Sequence, residues 1–512
     1  MDKDFGWKMR SDILHRDAEG KLLDPLRVHG WKAEIERVEA DGEYVVVGAE
    51  RNGASRRAAL LYGGATANEV YRRLEAEVDF TLYNGQPVRL DEFTRGLSRP
   101  VCPVDDFHLH LVEWNRASAP GKLAPVADRS ERPAEATANE RRVRRLFSET
   151  PIDAVWSRLS RLRSATLARK AVAHRAAVEG VELPASAAEA KGDGVAYAIR
   201  NATDQFALRD AGNLSQRVLS LYYGCLSFAF AEMLAAPDGP GELPRIEDVT
   251  KQGHGLWTFD GIEDGFGGLA VGPLQSGFFP AWMKSLRAGS MTARDKRPRR
   301  TSDLEAAPAG SWATMEQLFA RVPEIGDLFE DVFPGPPAWV SPMPDQEANP
   351  MPGFFGSGER ARTSYVLLVD ETGRMTADAV AALPGPLREI TPVPSGTRAR
   401  HFRAAVDHPG SDHCWDALDI HHSPFERAAL ILPLFGCVDR YRAVCMVILY
   451  ALSIVVRYRP SLWRRIQEGD LDHMRALVEA FLAAAERILP EQFLESVTGE
   501  RMSVRQPGSL FS

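Results

Sequence analysis

Fourteen consecutive residues, Ala443–Val456, carry no charge, and the run then breaks into Arg457-Tyr458-Arg459-Pro460 and Trp463-Arg464-Arg465. A helix that is apolar on every side must be buried all round, in a large protein core or in a bilayer. A membrane span needs about 18 or more apolar residues. This run is shorter, and Asp439, Arg440 and Arg442 lie just before it. It therefore reads as a central core helix, with no membrane as a partner. Pro460 stops it, because proline lacks an amide donor and disfavours helix in the residue before it. Arg457 sits where a cation meets the negative end of the helix, worth a few tenths to about 1 kcal/mol.

Such a helix needs a large chain around it. The 512 residues predict roughly two to four domains of about 150 residues each. Hydrophobic residues at 44% and charged residues at 26% are an ordinary globular balance. Lys+Arg 62 against Asp+Glu 70 gives net −8, so any nucleic-acid contact must come from a local patch. Cys102, Cys225, Cys414, Cys437 and Cys445 include no CxxC pair, which argues against a cysteine zinc site and fits a reducing cytoplasm. MDKDFGWKMRSDILHRD at the start has no apolar core of a signal peptide.

The expected fold is α+β and mainly helical: a helical core, a small N-terminal α/β domain and a Pro-rich insertion carrying a short strand pair. Residues 1–115 form the small domain. Trp31–Val38, Tyr44–Ala49 and Ala58–Tyr62 read as strands, Ala67–Val78 as a helix, and Asn84-Gly85 as a hairpin turn after Phe80–Tyr83. Residues 116–138, rich in Ala, Pro and charge, read as a linker. The core's first part is 139–290, with Pro151 opening one helix, Leu214–Leu234 forming another, and a glycine-rich loop or hairpin at 252–280. Residues 291–412 read as an insertion of limited order, with a helix at Trp312–Ala320 and strands Ser364–Asp370 and Ile390–Pro394. The core resumes at 413–495, and 496–512 is a tail.

Two sequence blocks carry the most specific pattern. The first is Asn213–Leu234 with Leu221-Tyr222-Tyr223-Gly224, followed by His254-Gly255. The second is Leu452-Ser453, Arg457-Tyr458, Pro460 and Trp463. Adjacent helical residues point about 100° apart, so one of Tyr222 and Tyr223 can face the core and the other a groove. In this order and spacing the blocks resemble the YaaC-like family, over residues 195–290 and 415–490. The resemblance implies a helical core similar to HEPN-type folds. Tyr222, Tyr223, His254, Arg457, Tyr458 and Arg459 are the candidate ligand-binding set, and a helix cap, stop and aromatic anchor would look the same. The family's usual histidine before the proline is Arg459 here, so any role of that histidine is altered. HEPN-type RNases place Arg four to six residues before His on one helix. No histidine follows Arg440, Arg442, Arg457 or Arg217 at that spacing.

Other clusters are less specific. Residues 141–175 hold ten Lys/Arg against Glu149 and Asp153. Arg158 and Arg161, with Arg297, Arg299 and Arg300, could form a phosphate-binding surface, though a solvated helix face has the same composition. Asp412, His413, Asp416, Asp419, His421 and His422 form the densest group of metal-ligand types, and a polar helix entry would look the same. Asp106, His108 and His110 alternate as on a strand. No Walker loop, GxGxxG or GxSxG is present, and no cofactor is evident. The expected function is that of a cytoplasmic binding or scaffold protein with a protein partner, in a stress or phage-defence setting. The alternative is an enzyme that processes nucleic acid or a nucleotide. Its chemistry would lie at Glu34, Asp41 and Glu50 or at an arginine-lined groove, and only this reading calls for a divalent metal.

Overall fold

A computed structural model describes residues 3–38, 43–62, 67–84, 94, 96–99, 101–104, 107–117, 143–148, 150–208, 212–260, 265–345, 347–348, 363–383, 385–408, 414–425 and 428–505. The chain divides into two compact units, 1–133 and 134–512.

In the first unit, α1 (Lys3–Ala18) and α2 (Asp24–Val28) lead into β1 (Lys32–Val38), β2 (Tyr44–Arg51) and β3 (Ala54–Tyr62). Next come α3 (Asn68–Glu77), β4 (Phe80–Asn84), β5 (Cys102–Pro103) and α4 (Phe107–Ala117). The sheet order is β1-β2-β3-β4-β5. The Tyr44-Val45-Val46-Val47 run is apolar throughout because both sheet faces are covered. Val45 and Val47 pack with residues of α1, α2 and α4, and Tyr44 and Val46 pack with Tyr71 and Leu74 of α3. The strand and helix readings here hold to within a few residues. β4, which precedes the expected Asn84-Gly85 turn, runs parallel to both β3 and β5. A parallel pair needs a crossover, and α3 supplies it. The residues beyond the turn, 85–93, lie outside the described residues.

The His108/His110 alternation is not that of a strand either. Both residues lie on α4, and His110 stacks on Phe80 with centroids 3.7 Å apart. Asp105 and Asp106 are outside the described residues, as are 118–138 of the expected linker.

The second unit opens with β6 (Val143–Phe147), α5 (Pro151–Leu162), α6 (Ala165–Val178), α7 (Ala185–Ala207) and α8 (Leu214–Ala235). Pro151 is the first residue of α5 as expected, and the Asn213 side chain caps α8 by accepting from Gln216 N at 3.0 Å. At the other end of α8, buried Lys191 donates to the carbonyls of Ala236 (2.8 Å) and Gly239 (3.0 Å). It thereby serves carbonyls that a helix end leaves without partners. Burial lowers the Lys191 pKa to about 8.

After α9 (Leu243–Thr250), the glycine-rich stretch forms a hairpin, β7 (Leu256–Phe259) with β8 (Ala270–Pro273), and α10 (Phe278–Ser285) follows. The 291–345 stretch holds α11 (Thr301–Glu305), β9 (Ala313–Thr314), α12 (Met315–Phe319), α13 (Gly326–Val332) and β10 (Trp339–Pro344). The one helix expected there is one of three, and Met315, Leu318 and Phe329 are buried in the main core.

Next are β11 (Thr363–Asp370), α14 (Ala377–Ala381), β12 (Leu387–Val393), β13 (Arg400–Asp407), β14 (His421–His422) and β15 (Ala428–Ile431). The two strands expected to pair do not touch. β13 lies between β11 and β12, in a six-stranded sheet ordered β12-β13-β11-β10-β15-β14. Residues 414–440 belong to that region, so the second helical block starts at Tyr441 instead of 413.

That block is α15 (Tyr441–Tyr458), α16 (Pro460–Glu468) and α17 (Asp472–Thr498), closed by β16 (Arg501–Arg505), which pairs in parallel with β6. Both α8 and α15 are long and apolar enough to cross a membrane, and most of each is buried inside the protein. Core burial accounts for their composition. Pro460 ends α15 and opens α16, as its missing amide requires.

Glu491 on α17 carries a testable electrostatic cost. Burial, then the neighbouring Glu495, raises its pKa to about 7. A carboxyl whose folded pKa is raised contributes stability below its unfolded pKa and loses it as pH rises through about 7. Glu491→Gln is therefore expected to stabilise the chain at pH 8, by on the order of 1–3 kcal/mol, and to change little at pH 4.5. Urea denaturation at the two pH values checks this.

Candidate functional site

Tyr222 and Tyr223 divide as their helical spacing predicts: Tyr222 is 1% exposed and Tyr223 37%. Gly224 next to them permits a close helix contact. A Cβ there would lie 2.6 Å from the Phe206 ring of α7. His254 is fixed by its backbone, since its carbonyl accepts from Phe279 N (3.0 Å) and Gly253 O accepts from Phe278 N (2.9 Å). Gly255 has φ +73°, and a Cβ there would meet Pro280 at 2.4 Å. The residue after the histidine must be glycine on both counts.

These pieces meet. The Tyr222 hydroxyl lies 2.8 Å from His254 Nδ1. Burial, then Tyr450 and Tyr223, raises the Tyr222 pKa, so the phenol stays protonated. Its single hydrogen-bond partner is the ring, and a buried hydroxyl without an acceptor is costly. Tyr222 therefore donates to Nδ1, and the ring proton sits on Nε2. Burial, then Arg457 and Arg297, lowers the His254 pKa, so the imidazole is neutral at pH 7. Its Nε2 makes no hydrogen bond among the described residues.

The α15 face completes the arrangement. Tyr450, Ser453 and Arg457 recur at helical spacing. The Tyr450 ring centroid is 5.8 Å from that of His254, and its hydroxyl donates to Leu256 O at 2.8 Å. Arg457 donates from Nε to Ser453 O (3.0 Å), from one terminal nitrogen to Ser453 Oγ (3.2 Å) and from the other to Tyr223 OH (3.3 Å). Its guanidinium also lies 5.1 Å from the centre of the Tyr458 ring, which is 64% exposed. Arg459 pairs with Asp260. Buried Trp463 of α16 donates to Ser215 Oγ of α8 at 2.8 Å, holding the corner against that helix.

Arg297 is exposed and has no ion pair or hydrogen bond among the described residues; its charge is a minor cause of the lowered His254 pKa. Asp303 accepts the backbone amides of Arg299 and Arg300, which organises the start of α11. Arg158 is half-buried with Arg161 and Arg144 as its charged neighbours, and Arg144 pairs with Glu500.

The other sequence clusters are only partly within the described residues. His421 lies in a strand, 2.7 Å from Glu324 and 3.0 Å from Gln492, stacked on Tyr441 at 4.2 Å. It is a partnered core histidine. Asp412 and His413 lie outside the described residues, as does the Asp416 side chain. Among the described residues no group of three or more His, Cys, Asp or Glu is placed to hold a metal. Glu34 and Glu50 lie on one sheet face of the first unit, and both are exposed. Asp41 is outside the described residues.

Sequence reasoning missed Tyr450 as a site residue, read Ser453 only as part of a motif, and missed Asp260. The i, i+3, i+7 spacing of Tyr450, Ser453 and Arg457 was the available signal for the first two.

Fold and site together define a mainly helical α+β protein whose core helices converge on a tyrosine–histidine–arginine corner. The family model for YaaC-like proteins matches residues 160–497, and the chain belongs to that family. No curated protein and no solved structure matches it.

Proposed function

We propose that this chain is a binding protein whose Tyr222–His254–Arg457 corner takes an oxyanionic ligand of the phosphate type. The carrying observation is that Arg457, held by Ser453 and Tyr223, stands in the corner where Tyr222 fixes His254, whose Nε2 has no hydrogen-bond partner among the described residues. Arginine forks match phosphate oxygens in pairs, and a neutral imidazole N–H adds a donor. Tyr223 and Tyr458 line the same corner.

Binding is favoured over turnover because the N-terminal carboxylates Glu34 and Glu50 are both solvent-exposed. The cytoplasmic setting is supported by the described cysteines, Cys102, Cys225, Cys437 and Cys445, which are all free thiols. A scaffold role with a protein partner, in stress or phage defence, rests on analogy with HEPN-type bundles.

The test is calorimetric titration of the full chain with pyrophosphate at low salt. Arg457→Ala is expected to weaken binding about 100-fold. Equal binding by both proteins, or none by either, contradicts the reading.

A further inference from the structure

We infer that the ligand is a nucleoside phosphate, with the phosphate held by Arg457 and His254 and the base stacked on Tyr458. This rests on the oxyanion reading above and narrows it.

The aromatic half of the corner is what charge alone leaves unexplained. Tyr458 is the last residue of α15 and is 64% exposed, the highest value among the exposed large hydrophobic side chains. It anchors no core. Its ring instead lies against the guanidinium of Arg457, 5.1 Å away. The same guanidinium donates to the hydroxyl of Tyr223, itself 37% exposed. Arg457 is thus fixed between two solvent-facing tyrosines and held from behind by Ser453. A guanidinium against an aromatic ring offers a flat, cationic surface, and nucleobases stack on tyrosine whatever their identity.

The electrostatics favour the same ligand. The corner lies at the C-terminus of α15, the negative end of a helix dipole. That end works against a bare anion, and the arginines must first offset it. A ligand that adds stacking to charge gains affinity where a bare phosphate does not. Neutral His254, with Nε2–H unpaired, can donate to a sugar hydroxyl or a phosphate oxygen.

The discriminating experiment compares adenosine monophosphate, ribose 5-phosphate, phenyl phosphate and inorganic phosphate by calorimetry on the full chain. The nucleotide is expected to bind at least tenfold more tightly than the other three. Tyr458→Ala removes an exposed ring, so it leaves the fold intact. It should erase that tenfold difference, lowering nucleotide affinity more than ribose 5-phosphate affinity. Equal affinity for ribose 5-phosphate and the nucleotide overturns the base-stacking inference and leaves the oxyanion reading standing. Equal affinity for phenyl phosphate shows a phosphoaryl site and overturns the nucleoside assignment. Absence of binding by every probe overturns both readings. A 5′-phosphorylated tetranucleotide separates the two sources of the same chemistry. Tighter binding than the mononucleotide marks the end of a strand as the ligand, and weaker binding marks a free nucleotide; either result supports the inference.

Discussion

Glu232→Ala is expected to destabilise the second unit by about 3–5 kcal/mol, the cost of leaving a buried charge unpaired. Glu232 on α8 is almost fully buried and accepts from Arg442 of α15 at 2.6 and 3.0 Å, from Trp282 of α10 at 2.8 Å, and from Ser496 of α17. Four helices meet at one carboxylate. Burial pushes its pKa up, but Arg442 and the hydrogen bonds from Ser496 and Trp282 hold it below the usual range. Its contribution is therefore present at neutral pH and is lost as pH falls through the depressed value. A double replacement, Glu232→Met with Arg442→Met, should recover most of the loss, because a buried ion pair is worth little more than good apolar packing. Urea denaturation followed by circular dichroism checks both variants. A loss below about 1 kcal/mol in the single variant would show that the pair is solvated.

Arg457→Ala should cut affinity for a phosphate-type ligand about 100-fold, or about 2.7 kcal/mol. The loss is large because Arg457 also positions Tyr223 and stacks on Tyr458. Removing it takes a positive neighbour from His254, so the histidine pKa should rise toward its ordinary value. That rise separates an electrostatic role from a purely structural one. Calorimetry and a histidine pH titration of the same variant read both effects.

Much of this arrangement was legible in the chain. Apolar periodicity and proline placement located α8, α15 and the α15–α16 break, because those signals are local. The opposed environments of Tyr222 and Tyr223 follow from helical spacing alone, and the short motifs singled out His254 and Arg457. What sequence could not supply was long-range pairing. β4 joins a parallel neighbour, and β13 slips between β11 and β12; strand partners depend on contacts far apart in sequence. His421 looked like a ligand because its partners, Glu324 and Gln492, lie about 100 and 70 residues away.

The central claim is that Tyr222, His254 and Arg457 form a ligand site and are more than packing signatures. Histidine-selective NMR of the full chain tests it most directly, with the His254 resonance assigned from His254→Gln. Addition of adenosine monophosphate should shift the His254 ring signals and leave those of partnered His421 in place. An unmoved His254 resonance in the presence of saturating nucleotide and of pyrophosphate would contradict the account.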